Sequence, residues 1–314
     1  MYNGEAKRPI FVESIKVETI WGGNNISKAR GYDKGYGTWW EISANKKSAN
    51  IVKNYETDKN FYEFIKEDES SILGEEYTLH EMLRLGYLDT VDSLSIQVHP
   101  DDEYAMKNSD DFGKKESWYI IDAKPGTKLV AGTTTDDTDV IKEAFENGTL
   151  EKYLKRWEVS KGDFITIPEG MIHALGRDIL ALEVGTNSDT TYRFYDYNRV
   201  DKSGKKRELH VKESFDVVDF SKQPEFVKNE EKSRRLIESD EYVIDELYLE
   251  NDMDILLDKH FCIVSNIGED CIIEWNGEKI LLQKYENVFV PYASKKITIE
   301  KGAHILLSQP GKEI

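Results

Sequence analysis

The sequence predicts a mainly β fold, built as two successive β-barrel units with a small helical insertion in the first. Three observations carry this. Between residues 242 and 314 short apolar runs are punctuated by the turn signals Asn276-Gly277, Pro291-Tyr292 and Lys301-Gly302, the rhythm of short antiparallel strands. Val140, Ile141, Ala144 and Phe145 recur instead at helical spacing. The segment from Val159 to Pro168 lines up with that from Leu282 to Pro291 at a constant offset of 123 residues, so the last region reads as a worn copy of the central one.

In chain order, residues 1 to about 60 hold strand-like pieces and turns, among them Trp21-Gly22-Gly23-Asn24 and the run from Gly35 to Ile42. The glycines at 22 and 23 fit neither a P-loop nor a dinucleotide fingerprint and read as a turn. Thr78 and Glu81 form a capping box ahead of Met82, Leu83 and Leu85, which predicts a short helix over 78–86 with His80 exposed in its first turn. Strands then run from about 90 to 200, interrupted by a helical insertion at 136–157, where Asn147-Gly148 ends one helix and Leu150, Tyr153, Leu154 and Trp157 continue in a second. Residues 203 to 240 are dense in charge, and the cluster Lys202, Lys205, Lys206 and Arg207 reads as a solvated loop rather than a binding patch. The expected domains are 1–235, with the insertion, and 236–314. In the second, Lys296 occupies the slot of His173, and a lysine cannot replace an imidazole in a neutral-pH zinc shell, so that unit is expected to be metal-free.

Over 314 residues, 32% charged and 39% hydrophobic side chains suit a folded soluble chain rather than a disordered one. No apolar run approaches the roughly 18 to 20 residues a membrane span needs, and the opening residues lack the apolar core of a signal peptide. Cys262 and Cys271 are too few for a disulfide framework, so a cytoplasmic location is expected. A net charge of −18 argues against nucleic acid or an anionic membrane as partner, and a phosphate ester would need local cations such as Lys114, Lys115 or Arg193. The oligomeric state is open, with a monomer as the default.

Gln97 and His99 are two apart, so on a strand both leave one face while Leu94, Ile96 and Val98 turn to the other. Glu116 opens the next apolar run, and His173 follows a Pro-x-Gly turn that ends a third strand. Two imidazoles, a carboxylate and an amide oxygen suit a borderline divalent metal, zinc first. Taken singly, either histidine would read as an ordinary core residue. The pattern Gly-x5-Pro-x-Gly-x2-His over 162–173 resembles the second cupin motif, with Gln97, His99 and Glu116 in the place of the first. Lys114, two residues before Glu116, points toward the same cavity, to hold a phosphate or move a proton. If 189–195 is a strand, Asp189, Thr191, Arg193 and Tyr195 share one face, and a salt-bridged surface strand would look the same.

Four stretches, Leu94 to Asp102, Gly113 to Ile120, Ile167 to Leu175 and Thr190 to Arg199, resemble in order and spacing the type I mannose-6-phosphate isomerases of the short bacterial form, and the likeness runs from Trp21 to the last strands. One departure is Lys115, where a small residue is expected. The resemblance implies two cupin-type (jelly-roll) barrels and a zinc-dependent aldose-ketose isomerase that interconverts mannose 6-phosphate and fructose 6-phosphate through a cis-enediol. Carried over, Gln97, His99, Glu116 and His173 match the zinc ligands, and Arg193 matches the essential arginine. Ser95 matches a residue lining the phosphate end. Lys114 and Asp189 match the proton-transfer candidates, with metal-bound water as a third. Competing expectations are a dioxygenase or sugar epimerase on the same fold, or a non-catalytic metal-stabilised sugar-binding cupin. A four-donor set leaves fewer open positions than a dioxygenase needs, and the presence of Lys114, Asp189 and Arg193 argues against the sensor.

Overall fold

The run from Glu116 to Ile121 is buried without a break, because its strand lies inside a sheet covered on both faces. The computed structural model describes residues 7–201 and 203–311. In it, Glu116–Ala123 belongs to a seven-stranded antiparallel sheet ordered Glu225–Val227, Phe164–Ile167, Glu116–Ala123, Ile179–Thr186, Leu83–Asp89, Thr38–Ile42 and Ile15–Val17. Alternation sorts its side chains. Trp118, Ile120, Ile165, Ile167 and Ala181 meet a five-stranded sheet ordered Leu154–Glu158, Lys128–Thr133, His173–Ala174, Ile96–Val98 and Tyr192–Tyr195. Tyr119, Ile121, Leu180, Leu182 and Val184 face the opposite way, into a second core shared with Tyr242, Ile244, Ile263, Phe289 and Leu306.

That second core belongs equally to the C-terminal unit, which is itself two facing sheets. One is ordered Arg234–Glu238, Tyr242–Tyr248, His304–Pro310, Cys262–Asn266 and Asn287–Val290; the other Met253–Leu256, Lys296–Ile299, Cys271–Trp275 and Glu278–Leu282. Both orders repeat those of the first unit, and Phe164–Ile167 answers Asn287–Val290 at the 123-residue offset read from the sequence. None of these sheets closes on itself among the described residues, so each expected barrel takes the form of an open sheet pair. The two units pack back to back. Tyr119 donates its hydroxyl to the buried Glu246 at 2.6 Å, and the Ser117 and Tyr242 hydroxyls meet at 2.9 Å across the join.

Several local expectations change. The Thr78 backbone N–H donates to the Glu81 carboxylate at 2.9 Å, half of a capping box, but the Thr78 hydroxyl also donates to that carboxylate (2.8 Å) and the Glu81 N–H goes to the Thr78 carbonyl, so the residues close only a turn. Leu83–Asp89 is a strand buried along its whole length, and Gly86 within it lets Trp40 lie across the backbone, since a Cβ there would come within 2.6 Å of that ring. His80 is not simply exposed: it bridges the Glu81 and Asp102 carboxylates at 3.1 and 3.0 Å. In the insertion, the helix Thr138–Glu146 is capped by Asp137 and ends at Asn147-Gly148, with Gly148 at φ +67, as expected. The expected second helix is a short turn, Leu150–Lys152, followed by the strand Leu154–Glu158, because Trp157 faces the sheet and donates its indole N–H to Ala131 at 2.9 Å. The helices Phe61–Glu67 and Glu69–Ile72 lie where no helix was predicted, the first carrying an Asn60/Glu63 capping box. The Trp21-Gly22-Gly23 turn holds no phosphate cradle. A Cβ on Gly23 would stand 2.1 Å from the Asp89 carboxylate, which caps the short helix Asn25–Ala29 by accepting from the N–H groups of Asn25 and Ile26. No helix among the described residues is long and apolar enough to cross a membrane.

Two outcomes follow from this packing. Phe289, fully buried, stacks on Phe261 at 4.9 Å and meets Phe61 edge-on at 5.2 Å, so it joins the two units. Phe289→Ala should cost about 3–5 kcal/mol and leave one cooperative denaturant transition; two separated transitions in the native protein would show that the units unfold independently. For His80, the hydrogen bond to Glu81, opposed by burial and aided by Asp102, raises the imidazole from 6.5 to about 9. Its stabilising contribution is therefore complete below pH 6.5 and is lost as pH rises through 9. Thermal midpoints should decline across that interval, and the decline should be shallower in His80→Gln.

Candidate metal centre

Register builds the site. Gln97, in the middle of Ile96–Val98, stands opposite His173 on one side and Arg193 on the other, and His173 stands opposite Ala131. Residues directly opposite in an antiparallel pair share a face, so Arg193, Gln97 and His173 form one row. Glu116 comes from the facing sheet, and His99 lies just past the end of its strand.

His99 Nε2 is 3.3 Å from Glu116 Oε2, His173 Nε2 is 3.2 Å from Glu116 Oε1, and the two Nε2 atoms are 3.1 Å apart. His99 Nδ1 donates to the Thr190 carbonyl at 3.0 Å and His173 Nδ1 to the Met171 carbonyl at 2.7 Å. A carbonyl only accepts, so both N–H groups point away and both Nε2 lone pairs point inward. Burial, outweighing Glu116, lowers the His99 imidazole to about 4, which keeps it neutral near pH 7. Glu116 is fully buried, and Lys114 overcomes the effect of that burial to hold the carboxyl well below its ordinary range. Neither of its oxygens accepts a hydrogen bond of good geometry. Gln97 turns its amide nitrogen toward the cluster, Nε2 lying 3.2 Å from His173 Nε2, so its oxygen faces a bound ion only once the amide is turned over.

Two inward-facing imidazole nitrogens and a buried carboxylate, its Oε1 turned to His173 and its Oε2 shared between His99 and Lys114, suit a cation. Their spacing suits it too: ligands about 2.0–2.1 Å from a tetrahedral centre stand about 3.3–3.5 Å apart. His99, Glu116 and His173 are the only such group among the described residues.

Lys114 closes one side. Its buried ammonium lies 2.8 Å from Glu116 Oε2 and 2.8 Å from Glu183 Oε1. Burial works to lower its pKa, but Glu116 and Glu183 outweigh burial and raise it, so it stays charged. Ser95 is buried two residues before Gln97. Asp189 departs from expectation. The strand is only Tyr192–Tyr195, on which the half-buried Arg193 and Tyr195 alternate with the buried Tyr192 and Phe194, and Asp189 lies outside it, paired with Arg84 at 2.5 Å. The cluster expected to be a solvated loop is one: Lys205 and Lys206 are exposed and, with Arg207 and Arg193, border an open surface depression, while Lys202 lies outside the described residues.

Two neighbours were missed in the sequence. Glu183 pairs with Lys114; Arg84 lies 3.6 Å above the Trp40 ring and donates to the Ser43 and Ser48 hydroxyls and the Ser188 carbonyl. The signal was present, since Arg84 and Glu183 are single charges inside the apolar runs Leu83-Arg84-Leu85 and Leu182-Glu183-Val184.

No protein-family model matches the chain. It is 32% identical to mannose-6-phosphate isomerase ManA of Bacillus subtilis over 320 residues, covering 96% of this chain and 98% of that one. A crystal structure of the mannose 6-phosphate isomerase from Bacillus subtilis superposes with a TM-score of 0.86 at 27% identity, covering 96% of this chain and all of the other. A mannose 6-phosphate isomerase structure described as bound with zinc and yttrium shares the fold at a TM-score of 0.74 and 12% identity, covering 98% of this chain and 100% of that one. Over nearly its whole length, the chain belongs to the mannose-6-phosphate isomerase family.

Proposed function

We propose that this chain interconverts mannose 6-phosphate and fructose 6-phosphate at one zinc ion held by His99, His173, Glu116 and the side-chain oxygen of Gln97. The observation that carries the reading is the convergence of the His99 and His173 Nε2 atoms and a buried carboxylate 3.1 to 3.3 Å from one another. When bound, zinc supplies a fixed positive charge beside the sugar's carbonyl and hydroxyl oxygens without offering redox chemistry.

The remaining roles fall to the chain. Moving a proton from C2 to C1 passes through a cis-enediol, whose developing oxygen charge needs a fixed cation. Arg193, in the row of Gln97 and His173, supplies a guanidinium on that face. Lys114 carries a proton at Nζ between two carboxylates, so it can donate to a sugar oxygen and recover the proton through Glu183. Asp189, engaged with Arg84, acts in this reading by orienting the wall rather than as the base. Ser95 and the cations next to Arg193 anchor the phosphate, which is remote from C1 and C2 and serves to position them.

The two sheet pairs are read as two cupin-type barrels, about 1–235 with the metal and 236–314 without. Three slots support the second half of that reading. Lys296 stands where His173 stands in the repeat and is paired with Asp254; Leu256 lies opposite it, as Gln97 lies opposite His173; and Cys262 lies opposite Val290, as Glu116 lies opposite Ile167. With both cysteines free and buried, the enzyme is read as cytoplasmic.

A coupled assay of fructose 6-phosphate formation, with metal content measured in parallel, tests the reading. His99→Ala and Glu116→Ala should lose both metal and turnover, and Arg193→Ala should keep the metal while losing turnover. Full activity in chelated protein would overturn it.

A further inference from the structure

Arg193 sits on an edge strand, where a long side chain is poorly restrained, yet its guanidinium must be fixed if it is to oppose charge at one point. We infer that Asp196 is a positioning residue for Arg193: by gathering Arg199 and Arg207 onto one carboxylate it ties residues 196–210 into a strap that holds the Arg193 guanidinium in place. This rests on the role proposed for Arg193 above.

Asp196 is 4% exposed. Its Oδ1 accepts from Arg199 Nη2 and Arg207 Nη2, both at 2.6 Å, and its Oδ2 accepts from Arg207 Nε at 2.8 Å. Two charge-assisted contacts to each guanidinium make this a strong and directional junction. The first arm is a tight turn, closed by the Arg199 N–H on the Asp196 carbonyl at 3.0 Å, with Tyr197 at φ 53 and Asn198 at φ 56. Left-handed backbone is tolerable for asparagine but costly for tyrosine, so the turn persists because its surroundings impose it. Arg199 also donates to the Ser93 carbonyl at 2.5 Å, which links the turn to the segment leading into the Gln97 strand.

The second arm returns through a narrow hairpin. The Asp201 N–H bonds the Lys205 carbonyl and Val200 bridges Lys206, which brings Arg207 back to Asp196. Directly beyond that junction the chain grips Arg193 three times. The Glu208 carbonyl accepts from Nη1 at 2.8 Å, the His210 N–H donates to the Arg193 carbonyl at 2.8 Å, and His210 Nδ1 accepts from the Arg193 N–H at 3.1 Å. Arg193 Nε is buried and has no protein partner. Asp196 also offsets part of the like charge that Arg199 and Arg207 present to Arg193.

A double-mutant cycle on the zinc-loaded full chain tests this, with Asp196→Asn, Arg193→Lys and the pair. Asp196→Asn should lower kcat about ten- to a hundred-fold with metal content and thermal midpoint little changed, and Asp196→Glu should recover most of that loss. In the Arg193→Lys background the same change should cost less than about two-fold, because its effect passes through Arg193. The cycle is read again in the dissociation constant of fructose 6-phosphate by calorimetry, which needs no turnover. Additive losses, or wild-type kcat in Asp196→Asn, would overturn the positioning role. Should Asp196→Asn not fold, Arg207→Gln opens the same strap and is judged by the same criteria. An Arg193→Lys enzyme with wild-type kcat would instead overturn the catalytic role of Arg193, whatever Asp196 does.

Discussion

Two imidazole N–H groups turned outward, onto the Thr190 and Met171 carbonyls, set the character of this site. They fix the tautomers and leave two lone pairs 3.1 Å apart over a buried carboxylate, an arrangement rich in electrons and poor in protons. The surrounding charges act to keep it so. Lys114 holds Glu116 ionised, Glu183 keeps Lys114 from discharging onto it, and burial keeps His99 neutral. Removing one partner would leave a charge stranded in a dry interior, so these groups stand or fall together.

The seven-stranded sheet is the frame on which they hang, and consecutive residues of one strand serve its two sides. Trp40 supports the Arg84 guanidinium on the metal side, while Trp39, buried on the other, packs in the core shared with the C-terminal unit. The face that carries the candidate ligands is therefore stiffened from behind by packing distant in sequence, through Phe289, Tyr242 and Glu246.

Much of this was legible in the sequence because it rests on short-range periodicity. The alternation around Gln97, the turn before His173 and the 123-residue repeat all depend on neighbours close along the chain, and the strands follow them. What escaped depends on tertiary context. Thr78 and Glu81 form one of the two bonds of a helix cap, yet Leu83 continues into a central strand because both faces of that strand find a core. Leu154 to Trp157 fit a helix by spacing, and pairing with Lys128–Thr133 decides against it. Asp189 was placed by alternation beyond the end of its strand, where alternation no longer applies and Arg84, distant in sequence, captures it. Arg84 and Glu183 were visible as charges in apolar runs, but their meaning emerges only when Lys114 is brought between Glu183 and Glu116.

The strand order shared by the two units has an implication for how such a chain can change. In the N-terminal copy, the proposed ligand positions would have to keep particular donor atoms, so substitution there would be limited by chemistry. The C-terminal copy carries leucine, lysine and cysteine where Gln97, His173 and Glu116 stand, and no donor set constrains them. Two halves with one architecture thus drift under different rules. Related sequences should diverge in the second half toward any residues that fill the same volume, and kinship there would be recognisable by outline long after it had ceased to be recognisable by letter.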